Sequence, residues 1–88
     1  MEKGGVSMGR VRARIRLTTN KEAVDFVSLL NSDGTAIRYS LENGNGDYRV
    51  DARSLLGVIY FTTEYGDDTY FVNDTTGEIP TCIDKFRI

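Results

Sequence analysis

The 88-residue chain has no histidine, one cysteine and no long apolar run. Each lack removes a class of function. Without histidine neither a Ser-His-Asp triad nor a Cys-His nucleophilic pair can be built. One cysteine and no histidine leave no ordinary zinc site, and a phosphohistidine carrier is excluded for the same reason. Cys82 has no partner for an internal disulfide, a usage that fits a reducing compartment. No apolar stretch approaches the roughly 18 residues of a membrane span, and the N-terminus lacks the apolar segment of a secretory signal. The expectation is a cytoplasmic protein without a membrane partner, a metal or a cofactor.

What is present fits one small domain. The hydrophobic share of 40% and the charged share of 27% are ordinary for a globular chain. A chain of this length buries about 60% of its unfolded surface, enough for one two-layer core. Residues 1–9, polar and bearing Gly4, Gly5 and Gly9, read as a flexible tail, and residues 10–88 as the domain. No Gly-Lys-Ser/Thr follows those glycines, which argues against a phosphate loop.

Val11, Ala13, Ile15 and Leu17 alternate with Arg12, Arg14 and Arg16, the pattern of a half-buried strand with a basic outer face. Thr19 and Glu22 have capping-box spacing at the start of a helix. Ala23, Phe26, Val27 and Leu30 then form one apolar stripe, and Asn31 to Gly34 ends the helix. Residues 35–41 form a second strand, the Asn43-Gly44-Asn45-Gly46 run a hairpin turn, and residues 47–51 a return strand. The aspartates and asparagines of 43–51 lack the spacing and terminal Glu of an EF-hand loop.

Local propensity then makes a hairpin of 58–72, because Val58 to Thr63 is β-branched and aromatic. The competing reading is a short helix from Leu55 to about Phe61, followed by one strand at 69–73. Ile79, Cys82, Ile83 and Phe86 have helical spacing, with Pro80 tolerated in the first turn and Cys82 filling the core. This order of elements predicts an α+β fold, an antiparallel sheet with helices on one face.

The segment Val50-Asp51-Ala52-Arg53-Ser54-Leu55-Leu56-Gly57 resembles the Val-Asn-Ala-Lys-Ser-Ile-Met-Gly segment of the HPr family, the phosphocarriers of the bacterial sugar phosphotransferase system. Glu22 to Val27 resembles the opening of that family's first helix, and the likeness runs from about Val11 to Phe86. The resemblance implies a two-layer open-faced β-sandwich, βαββαβα, with a four-stranded antiparallel sheet. It also implies a helix at 54–60, against the local preference for a hairpin.

The same resemblance places Thr19 at the family's acceptor histidine, with Lys21 at its arginine and Glu22 at its proline. A threonine phosphoester does not pass its phosphoryl group on readily, so the implied relay is dead. Thr19 itself reads best as a helix cap. Ser54 falls on the family's regulatory phosphorylation site. Lys21, Arg53, Leu55, Leu56 and Ile59 become candidate partner-binding residues, and Asp51 adds a negative charge that disfavours phosphorylation.

The expected function is a regulatory or protein-binding module, not an enzyme. Its implied partner is a phosphotransferase-system kinase or a transcription regulator. An enzyme would need an acid–base pair from Asp33, Asp67, Asp68 or Asp74, all in turns where aspartate is expected for conformational reasons. The alternative is a nucleic-acid-binding module using Arg12, Arg14 and Arg16. A net charge of −2 and the lack of interleaved aromatics speak against it.

Overall fold

In a computed structural model, which describes residues 10–88, the first strand keeps its alternation: Ala13, Ile15 and Leu17 are buried and the arginines between them are exposed. The described elements run in the order β1 (Val11–Arg14), α1 (Asn20–Ser32), β2 (Tyr39–Glu42), β3 (Arg49–Asp51), α2 (Leu55–Tyr65), β4 (Tyr70–Asn73) and a 3-10 helix (Thr81–Phe86). The tail expected over residues 1–9 lies outside the described residues. The strands make one antiparallel sheet in the order β1-β4-β2-β3.

Register decides which side chains share a face. Ala13 pairs with Phe71, Phe71 with Leu41, and Leu41 with Val50. Phe71, Leu41 and Val50 meet Ala23, Phe26, Val27 and Leu30 of α1, Val58 and Phe61 of α2, and Ile83 and Phe86 of the 3-10 helix in one core. The other face carries Arg12, Val72, Ser40 and Asp51 in one row and Arg14, Tyr70, Glu42 and Arg49 in the next.

Four expectations are corrected. Residues 58–63 are helical, in an α2 that runs to Tyr65, beyond the expected 54–60. Burial of Val58 and Phe61 outweighs their β propensity, and Gly66, at φ +56°, ends the helix. The first ladder stops at Arg14. Ile15 then bridges to Arg87, and the Arg16 N–H donates to the Phe86 carbonyl. The second strand starts at Tyr39, not residue 35, because Thr35 is drawn into a turn by the Asp33 carboxylate. The closing helix is 3-10 in form, begins at Thr81, and follows Pro80 in extended geometry. The turn after β2 closes with the Gly46 N–H on the Asn43 carbonyl, and Gly46 supplies the positive φ of +78°.

Candidate functional site

α2 begins where an extended residue meets a run of apolar ones. Ser54 has φ −95° and ψ 114°, and its hydroxyl accepts the Gly57 N–H at 3.3 Å, the geometry of an N-cap. Both Ser54 and the following two residues are exposed, with Leu56 at 81% and Leu55 at 36%. Ile59 is half-buried against the core. Tyr60 lies one turn beyond Leu56, so the two share a helix face. Tyr48 extends the strip, 6.3 Å from Tyr60 and stacked on Phe61 at 6.0 Å. Sequence reasoning missed both tyrosines. Tyr60 is four residues from Leu56, a signal that exists only once the segment is accepted as helix.

Arg53 does not join this strip. Its guanidinium turns inward, with the side chain only 20% exposed. It donates to the Leu30 carbonyl at the end of α1, to the Ile37 carbonyl at 3.1 Å and to the Thr35 hydroxyl at 3.1 Å, and lies 5.0 Å over the Tyr39 ring. The residue ties the end of α1 and the loop after it to the start of α2. Arg53→Ala leaves those acceptors without their donor, and stability in urea unfolding is expected to fall by about 3 kcal/mol. Arg53→Lys restores only part of that loss, because an ammonium cannot bridge three acceptors in one plane.

Thr19 and Lys21 sit at the far end of α1. Arg53 meets that helix at Leu30, so the rise per residue separates it from Lys21 by about 14 Å. The Thr19 hydroxyl accepts the Glu22 N–H at 3.1 Å. The Glu22 carboxylate takes the Thr18 N–H at 2.6 Å and the Thr18 hydroxyl at 2.8 Å, one residue earlier than a capping box would have it. The Thr18 N–H and hydroxyl hold the Glu22 carboxyl below its ordinary range. This helix end already carries an anion of its own.

The arginines of β1 are engaged on the second sheet face. Arg12 Nε lies 2.8 Å from the Glu42 carboxylate, Arg14 donates to the Asp67 carbonyl, and Arg16 pairs with the Asp67 carboxylate at 3.1 Å. The turn aspartates are occupied in the same way. Asp68 accepts the Gly44 N–H, and Asp74 accepts from Arg10 and Arg49. Cys82 is half-buried, and burial raises its thiol pKa. Among the described residues no group of His, Cys, Asp or Glu is placed to hold a metal ion, and no helix is long and apolar enough to cross a membrane.

Set against known protein families, curated proteins and solved structures, the chain matches none. Ser54, Leu55, Leu56 and Ile59 lie together at the start of α2, with Tyr48 and Tyr60 beside them.

Proposed function

We propose that this chain is an HPr-like regulatory module that docks a protein partner through the start of α2 and is controlled by phosphorylation of Ser54. The reading rests on one observation: an exposed capping hydroxyl stands beside an exposed apolar strip. A phosphate there adds about −1.5 to −2 charges next to the free N–H groups of a helix start, while changing the rim of the strip a partner would touch. The order of strands and helices is compatible with the family's βαββαβα open-faced sandwich. The partner, on this reading, is a cytoplasmic phosphotransferase-system kinase or a transcription regulator.

Phosphate relay is not part of the proposal. On the resemblance Thr19 takes the place of the family's histidine, and Glu22 supplies a carboxylate at the same helix end. Incubation with the general phosphotransferase enzyme and phosphoenolpyruvate is expected to leave the protein unmodified, and an acid-labile phosphoryl adduct would refute this. With the family kinase and ATP, mass spectrometry should show one added phosphate that Ser54→Ala abolishes. No incorporation, or incorporation that survives the substitution, removes the regulatory role.

A further inference from the structure

The second face of the sheet gathers more charge than β1 alone supplies. Arg10, Arg12, Arg14 and Arg16 come from β1 and its flanks. Arg49 comes from β3, at the opposite edge, and Arg38 from the approach to β2. Arg38 and Arg49 line an open groove of about 580 Å³ together with Ser40 and Asp51. Glu42, Asp74 and Asp67 answer part of this charge. Asp51 shares the face and Asp68 borders it at Gly44, while Asp25 in α1, Glu64 in α2 and Asp84 in the 3-10 helix lie elsewhere. The small net charge thus hides an uneven distribution.

Glu42 organises the face. Its carboxylate is buried, at 1% exposure, with nitrogens of Arg10, Arg12 and Arg49 each 2.8 Å away. Those three side chains remain 33–44% exposed. A guanidinium carries five N–H donors, so donors remain for a ligand after the internal bonds are made. The carboxylate fixes the arginines in a fan, and the entropy of ordering them is spent before any ligand arrives. Tyr70 of the central strand β4 lies directly opposite Arg14 in the ladder, with the Arg12 guanidinium 4.2 Å from its ring centroid. The interleaved aromatic that the β1 sequence lacks is supplied by its neighbour.

We propose that this arginine-lined sheet face binds single-stranded nucleic acid, the guanidiniums taking phosphates and Tyr70 taking a base. The edges β1 and β3 stand about 14 Å apart, room for a short run of nucleotides at the lower end of known single-stranded site sizes, about 4. The favoured ligand is a strand and not an acidic protein, because cationic side chains spaced across a sheet around a stacking ring suit alternating phosphates and bases. This site is separate from the strip at α2, and its failure would leave the Ser54 reading untouched.

The test is fluorescence anisotropy of a labelled single-stranded DNA of about 12 nucleotides and mixed sequence at low salt, with a labelled heparin fragment as a second polyanion. Binding is expected to weaken with salt at a log–log slope of about −2, the value for three phosphate contacts on a single strand. The double variant Arg14→Glu with Arg38→Glu should bind at least about tenfold more weakly. It should stay folded by circular dichroism, because Arg14 makes one bond to a carbonyl and Arg38 makes none among the described residues. Tyr70→Leu should weaken the oligonucleotide several-fold and leave heparin unchanged. The proposal is overturned by no binding at low salt, by wild-type affinity in the double variant, or by equal response of DNA and heparin to Tyr70→Leu.

Discussion

Phe26→Ala is expected to cost about 3–5 kcal/mol of folding stability, the largest loss of any single truncation considered. Phe26 is fully buried and meets two rings edge-on, Phe71 of β4 at 6.1 Å and Phe86 of the 3-10 helix at 5.6 Å. It therefore joins α1 to two elements near the other end of the described chain. Truncation forfeits the transfer energy of the ring, leaves a cavity, and removes two favourable aromatic contacts of about 0.5–1.5 kcal/mol each. A domain of this size has about 4–13 kcal/mol in total, so the loss is a large share of the whole. Urea titration followed by circular dichroism measures the loss. Phe26→Leu keeps most of the volume and should lose much less. A loss below about 1 kcal/mol for the alanine variant would mean that the core closes over the gap.

The second large effect is at Glu42. Replacing its carboxylate with alanine leaves Arg12 without its carboxylate partner and Arg10 and Arg49 with Asp74 alone. Breaking a fully buried pair in this one-sided way costs about 3–5 kcal/mol. The arginines here are partly exposed and can swing toward water, so about 2–3 kcal/mol is expected. Thermal melts at low and high salt separate the components: the variant should be less stable in both, with a smaller gap at high salt, where the repulsion is screened. A variant as stable as the wild type would show that the fan needs no anchor.

Acidity tests the outer half of the same network. The hydrogen bond from Arg49, aided by Arg10, holds the Asp74 carboxyl below its ordinary value of 3.8. A carboxyl depressed in the folded state contributes its stabilisation above the unfolded pKa and loses it as pH falls through the lower folded one. Melting temperature should therefore begin to fall just below pH 4, and Asp74→Asn should flatten that part of the profile.

Local features were legible where a single period governs a segment. The α1 stripe is buried at every position named from the sequence, and the β1 alternation holds through Leu17. Residues 58–63 were not legible from propensity, since their side chains favour a strand and only packing makes them helical. The resemblance to a known family supplied the helix there. The inward bonds of Arg53 were not legible because its acceptors, Leu30, Thr35 and Ile37, lie 16 to 23 residues away in sequence. Glu42 drew no notice for the same reason. It reads as the polar end of a strand, and its burial exists only after β1 and β3 bring three arginines to it.

The bridge between Ile15 and Arg87 has a bearing on solubility. With the Ile88 N–H on the Arg14 carbonyl and the Arg16 N–H on the Phe86 carbonyl, the chain's last residues shield part of the outer side of β1. The other border of the sheet is β3, three residues long, with exposed Arg49 and Asp51 at its ends. A growing fibril needs a long, flat, uncharged border on which to add the next strand. This sheet has one border partly masked and another short and charged, so neither is an open template for a further strand.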